Sequence, residues 1–260
     1  MTEILKNPAT LSETMPLQRV ATQPASAPAP TQPLGAASSP ATSPDGQTNP
    51  DTTGGFVPKL QTFKPQAAPV GVSSNAKQFV LLVIDTSSSM SGSKLAEAQQ
   101  AAQAIVAELA NPENKNGLLV GMISFDSGSK VVNQPELATT INLRPLSASG
   151  GTNFDSALKQ TKTSIEQFQR RPNPEGWHYH KPHVLFLSDG QSGVSQRNIE
   201  AVHDLANVTA VAYGSDANAS TLAQVATDGQ VLTVGTNGGE LRRVLESVGK
   251  TLSQTLQSAG

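Results

Sequence analysis

Asp85, Ser87 and Ser89 occupy alternate positions directly after the apolar run Phe79-Val80-Leu81-Leu82-Val83-Ile84. One carboxylate and two hydroxyls at i, i+2 and i+4, held where a buried strand ends, can grip a hard cation. Two later stretches have the same strand-to-polar character. Gly150-Gly151-Thr152-Asn153 opens a helix-like segment, and His183-Val184-Leu185-Phe186-Leu187-Ser188 runs into Asp189-Gly190. Asp85, Ser87, Ser89, Thr152 and Asp189 together make a five-residue oxygen shell. Oxygen ligands in octahedral geometry at roughly 2.0–2.1 Å are what Mg²⁺ prefers, and serine hydroxyls suit it. Each motif also has a plainer meaning. Ser-rich turns after strands cap helices, Thr152 and Asn153 could cap the helix that follows, and Asp189 before Gly190 could be a turn residue. Three such motifs in order behind apolar strands favour one shared site.

The elements that must position these residues can be read from periodicity. The run before Asp85 suits the centre of a parallel sheet covered on both faces. Ser91 to Ser93 can cap a helix with Leu95, Ala98, Ala102, Ile105 and Leu109 inward, stopped by Asn111-Pro112. Leu118–Phe125 reads as a second strand, and Ser127-Gly128-Ser129 turns into a short strand at Lys130–Val132, with Asp126 helping the turn. A helix follows from Asn153 to about Arg170, with Phe154, Leu158, Thr161, Ile165 and Phe168 on one face. The strand ending at Asp189 is next. A helix near Asn198–Ala206, a strand at Val208–Tyr213, a helix around Leu222–Ala226 and a strand at Val231–Val234 continue the alternation. Asn237-Gly238-Gly239-Glu240 resembles a capping box opening a last helix. Strands alternating with helices predict an α/β, Rossmann-like doubly wound and mostly parallel sheet with one antiparallel edge strand. In such sheets ligands gather at the carboxyl ends of strands, where strand order reverses.

Composition divides the chain. Of its 18 prolines, only Pro112, Pro135, Pro145, Pro172, Pro174 and Pro182 lie beyond residue 70. Residues 1–75 are expected to be a disordered Pro/Ala/Ser/Thr-rich tail, because such a segment cannot bury enough apolar surface to offset its chain entropy. Phe56, Val57, Leu60 and Phe63 are its apolar cluster and could dock on the folded part or remain solvated. Residues 76–260 are the expected domain. A net charge of −2 with no basic stripe argues against nucleic-acid or anionic-membrane partners. The absence of cysteine excludes disulfides and thiolate metal sites. The first residues lack the apolar stretch of a signal peptide and no run approaches a membrane span, so a cytoplasmic location is expected.

Asp85-x-Ser87-x-Ser89, then Thr152, then Asp189 resembles the metal-ion-dependent adhesion site of von Willebrand factor A domains at all five positions, over a stretch from about Gln78 to the chain's end. Ile84-Asp85-Thr86-Ser87-Ser88-Ser89-Met90-Ser91-Gly92, Ile123-Ser124-Phe125-Asp126 and Leu146–Thr152 look most like the bacterial TerY-like group linked to tellurium resistance and stress signalling. One departure is Gly190-Gln191-Ser192-Gly193, where that group often carries Gly-x-Pro-Thr-Asp. The resemblance implies that the strands ending in Asp85 and Asp189 are neighbours. It also implies that Ser87, Ser89 and Thr152 bind Mg²⁺ or Mn²⁺ directly, that Asp85 and Asp189 act through water, and that an Asp or Glu of a protein partner completes the octahedron. Ser88, Gly151, Asn153 and Gln191 would form the rim that selects the partner. TerY-like proteins often occur with protein kinases and phosphatases. Thr14, in Ser12-Glu13-Thr14-Met15-Pro16-Leu17, is therefore a candidate phosphosite for an Arg-lined reader such as a forkhead-associated module. The alternative is an adaptor that presents substrates to an AAA+ ATPase.

Catalytic readings fit less well. A haloacid-dehalogenase-type phosphatase would want an acid where Ser87 stands, Ser91-Gly92-Ser93-Lys94 lacks P-loop spacing, and a G-x-S-x-G elbow is missing. The expectation is a non-catalytic module, with a metal-dependent phosphatase or hydrolase as the remaining enzyme alternative. His178, His180 and His183 form an H-x-H-x-x-H pattern that could bind zinc; a solvated loop is the competing reading.

Overall fold

The computed structural model describes residues 75–258. The expectations for the tail, for Thr14 and for the Phe56–Phe63 cluster lie outside the described residues. Among those described, the order is β1 (Ala76–Asp85), α1 (Ser93–Leu109), β2 (Leu118–Phe125), β3 (Ser129–Leu137), α2 (Phe154–Gln169), β4 (His178–Tyr179), β5 (His183–Ser188), α3 (Gln196–His203), β6 (Asn207–Tyr213), α4 (Ala219–Val225), β7 (Val231–Val234) and α5 (Gly238–Ser258).

Every residue of β1 is buried, and successive side chains of a strand point to opposite faces. Val80, Leu82 and Ile84 therefore pack with Ala102, Ile105 and Leu109 of α1 and Leu241, Leu245 and Leu252 of α5. Phe79, Leu81 and Val83 pack on the other face with Leu158 and Ile165 of α2, Ile199 of α3 and Leu222 of α4. Such two-sided burial is why β1 reads as an unbroken apolar run rather than an alternating one.

The sheet has seven strands in the order β3-β2-β1-β5-β6-β7, with β4 paired to the start of β1. All pairings are parallel except β2 with β3. The expected mostly parallel α/β sheet with one antiparallel edge strand is thus the observed one. The chain steps from β1 outward to β2 and β3, then returns to β5 on the other side of β1, so strand order reverses between β1 and β5. Ile84 lies opposite Leu187 in that pair, which brings the polar ends of both strands side by side.

Three local expectations need correction. The edge strand extends to Leu137, because pairing with β2 continues to Leu119 opposite Leu137; Pro135 is tolerated there because an edge strand has one unpaired side. The N-cap of α1 is Gly92, with no capping side chain. Its φ of 77° and ψ of −132° lie in a region where only glycine is unstrained, so neither Ser91 nor Ser93 can serve. The histidines of the H-x-H-x-x-H pattern do not share a loop: His178 lies in β4, paired with Ala76, while His183 begins β5, buried, with its ring 3.1 Å from the Thr209 hydroxyl. Among the described residues no group of three His, Cys, Asp or Glu side chains could hold a metal.

Burial pushes the His183 ring down to about 4. The unfolded ring gains its proton near pH 6.5 and the folded ring only near 4, so His183 leaves stability intact above pH 6.5 and erodes it as pH falls through that window. Between pH 7 and 4.5 the wild type is expected to lose about 2 kcal/mol more than His183→Gln, as measured by urea unfolding. Equal losses would show that the ring is not held neutral.

Candidate metal centre

Three loops leave the carboxyl end of the sheet and are tied to one another through backbone groups. In the loop after β1, Thr86 N–H donates to the Phe125 carbonyl at 2.7 Å, and the Thr86 carbonyl accepts from Ser149 N–H at 2.8 Å. Ser88 N–H donates to the Gly150 carbonyl at 3.0 Å. The loop that carries Thr152 is further held by Gly151 N–H on Ser127 Oγ at 2.8 Å and by Ser149 Oγ on Asp126 Oδ2 at 3.0 Å. Asp126 also closes the β2–β3 turn by accepting from Gly128 N–H at 2.9 Å. Its turn role is as expected, with a second role in fixing the neighbouring loop.

On this frame the oxygen-bearing side chains converge. Ser87 Oγ lies 3.0 Å from Ser89 Oγ, and Ser89 Oγ donates to Asp189 Oδ1 at 2.8 Å. Asp85 sits beneath: Oδ1 accepts from Ser87 N–H at 2.8 Å and Oδ2 from Ser188 Oγ at 2.5 Å. Thr152 is placed by its relation to Gly190, where a Cβ would stand 2.7 Å from Thr152 Oγ1 and 3.2 Å from Asp85 Oδ2. The Thr152 hydroxyl and the Asp85 carboxylate thus both lie close to one point beside Gly190. All five predicted residues are brought together.

Asp85, Ser87 and Asp189 are buried, whereas Ser89 is exposed and Thr152 half-buried. Burial pushes the Asp85 carboxyl above its ordinary range; hydrogen bonds from Ser188 and Ser87 oppose the shift, and the Asp189 charge adds to it. Ser88, Gly151 and Gln191, close in sequence to the site residues, are exposed. Asn153 differs: it caps α2, its Oδ1 accepting from Ser156 N–H at 2.9 Å, and its Nδ2 donates to the Ser127 carbonyl at 3.3 Å. Both polar ends of Asn153 are therefore engaged inside the domain.

The donors fit a small divalent cation. Neighbouring ligands of an octahedron with bonds of 2.0–2.1 Å lie about 2.9 Å apart, and the 3.0 Å between the Ser87 and Ser89 hydroxyls matches that edge, with the Asp189 carboxylate one hydrogen bond away from Ser89. Every donor is oxygen, which suits Mg²⁺ or Mn²⁺ over softer ions.

Residues 80–191 match the family model of the von Willebrand factor type A domain. Its fold is that of a type A domain. Solved structures that share it include a von Willebrand factor type A protein from Catenulispora acidiphila (18% identity, TM-score 0.54, covering 67% of this chain and 42% of that one). Proximal thread matrix protein 1 from the mussel byssus, with a zinc-occupied MIDAS motif, is similar at 19% identity and TM-score 0.53, covering 69% and 48%. The ArnB paralog VWA2 from Sulfolobus acidocaldarius is similar at 18% identity and TM-score 0.52, covering 69% and 47%. This chain spans less than half the length of each of these. No curated protein matches it. Among the described residues no helix is long and apolar enough to cross a membrane.

Several residues of the site escape a reading of sequence. Ser188 orients Asp85 and also accepts from Gly190 N–H at 2.9 Å; its signal is a lone hydroxyl inside an apolar strand. Ser127 clamps the Thr152 loop without any local pattern to mark it. Lys94, in the first turn of α1, places Nζ 2.6 Å from Asp189 Oδ2; the sequence offered only a failed P-loop match there. Gly190 is required by closeness. In Gly190→Ala the new methyl would press on Thr152, whose loop is fixed on two sides, so a loss of about 1–3 kcal/mol is expected. Divalent affinity should fall with it. Calorimetric titration and thermal unfolding check both, and an alanine variant with wild-type affinity would contradict the close packing.

Proposed function

We propose that this chain is a non-catalytic interaction module that captures an acidic side chain of a protein partner through a Mg²⁺ or Mn²⁺ site, in bacterial stress or kinase- and phosphatase-linked signalling of the TerY-like kind. The observation that carries this reading is the convergence of the Ser87 and Ser89 hydroxyls, 3.0 Å apart, with the Asp189 carboxylate hydrogen-bonded to Ser89 beside exposed neighbours. Ser87, Ser89 and Thr152 would hold the ion through neutral hydroxyls, with Asp85 and Asp189 acting through water. A divalent ion so held supplies an electrophilic position that favours an anionic oxygen, and a charge-assisted contact is stronger than a neutral one. Ser88, Gly151 and Gln191 border that position and suit the selection of a partner by shape.

Type A domains often mediate protein–protein contacts through a metal site, which supports the reading. The test is affinity capture on the immobilised full chain in Mg²⁺, in Mn²⁺ and in EDTA. A partner retained only with metal, and released when its contacting Asp or Glu is changed to Asn or Gln, is the expected result. Retention undiminished by EDTA would reject the reading. A kinase, a phosphatase or a forkhead-associated protein in the eluate fits the signalling role; a hexameric ATPase would recast the chain as an adaptor for an AAA+ machine. Phosphate-ester turnover by the metal-loaded chain would overturn the non-catalytic assignment.

A further inference from the structure

Lys94 is the second residue of α1, where a positive charge opposes the helix dipole. Its position needs another cause, and two carboxylates supply it. Lys94 Nζ lies 2.6 Å from Asp189 Oδ2 and 3.4 Å from Asp216 Oδ1. The Asp189 side chain is fully buried and that of Asp216 is 64% exposed, so the first contact is the strong one: exposed pairs contribute little, whereas a short charge-assisted bond to a buried carboxylate is among the stronger contacts. Gly214, at φ 103°, makes room, since a Cβ there would stand 3.3 Å from Lys94 Nζ and 2.9 Å from Asp216 Oδ1.

The two oxygens of Asp189 thus face different partners. Oδ1 accepts from Ser89, inside the hydroxyl cluster, and Oδ2 faces the Lys94 ammonium outside it. Asp85 and Asp189 place two carboxylates at the site, and Lys94 offsets one of them. We propose that Lys94 is a positioning residue of the metal centre: by engaging Oδ2 it presents only Oδ1 of Asp189 to the ion, and by its charge it weakens divalent-cation binding and keeps the bound ion short of negative ligands. Lys94 thereby keeps the ion receptive to an external carboxylate. This rests on the metal-site reading above and assigns a role to a side chain outside the five-residue shell.

The test is titration of the full chain with Mn²⁺ at fixed ionic strength for the wild type, Lys94→Met, Lys94→Gln and Lys94→Arg. A unit charge repels a divalent ion twice as strongly as a monovalent one, so removing the charge in Lys94→Met or Lys94→Gln is expected to tighten Mn²⁺ binding by about tenfold. Lys94→Arg keeps the charge and should stay close to the wild type. In EDTA, Lys94→Met should melt below the wild type, because Asp85 and Asp189 then lack a counter-charge, and Mn²⁺ should raise its melting temperature more than it raises that of the wild type. Lys94→Gln, which can still donate to Asp189, covers the case in which Lys94→Met does not fold. Folded neutral variants that bind Mn²⁺ no tighter than the wild type would overturn the proposal while leaving the metal site standing. A wild type that binds no divalent ion would remove both together.

Discussion

Replacing Asp85 with alanine is expected to weaken divalent-cation binding roughly a hundredfold or more while leaving the sheet folded. Asp85 is fully buried and orients two neighbours: Ser87 through its backbone N–H at 2.8 Å and Ser188 through its hydroxyl at 2.5 Å. Alanine leaves both donors without their acceptor, at a cost on the order of 1–3 kcal/mol each. It also removes a carboxyl that burial holds above its ordinary pKa, which offsets part of that cost. A fall of several degrees in melting temperature is expected, at about 2–4 °C per kcal/mol for a domain of this size. Asp85→Asn keeps the volume and one acceptor, so it should lose the metal with a smaller fall. Titration with Mn²⁺ beside thermal unfolding separates the two effects, and wild-type affinity in either variant would remove Asp85 from the site.

Phe186→Ala should be the most destabilising single change in the sheet, at about 3–5 kcal/mol. Phe186 is fully buried and lies 5.0 Å from the ring of Phe125 and 5.2 Å, edge-on, from that of Phe154. Phe125 and Phe154 are themselves 5.9 Å apart, edge-on, so the three rings close a cluster in which each pair adds to plain area burial. The cluster also bears on the site. Phe125 ends β2, and Phe154 opens α2 two residues after Thr152. A cavity at Phe186 lets α2 settle, so weaker Mn²⁺ binding should accompany the lost stability. Urea unfolding would measure the first effect and titration of the still-folded variant the second. Phe186→Leu, which fills more of the space, should lose less of both.

What the sequence made legible follows from what periodicity encodes. The apolar runs ending at Asp85 and Asp189 reported strands buried on both faces, the spacing of the apolar positions located α1 and α2, and the capping-box pattern marked the start of α5. The hydroxyl and carboxylate motifs stood at the ends of those elements, so the oxygen set could be listed. Periodicity gives the face of an element but not its neighbour. Adjacency of β1 and β5 therefore came only from resemblance until the register of Ile84 with Leu187 was seen. Lys94 stayed hidden for the same reason, since it meets Asp189 across 95 residues of sequence. Strand β4 was missed because two residues are too few to show a period. The cap of α1 was misread because serine is the commoner cap, and only the backbone angles of Gly92 reveal that the turn excludes it.

The margin formed by β3 bears on how the molecule meets others. Lys130 and Glu136 are exposed along it, Pro135 withholds a donor, and its register with β2 shifts twice between Val120 and Ile123. Charges, proline and irregular register are the means by which open sheet borders resist adding a foreign strand. Sideways growth into ribbons or aggregates is therefore discouraged on that flank, and concentrated solutions should tolerate crowding without sheet extension there.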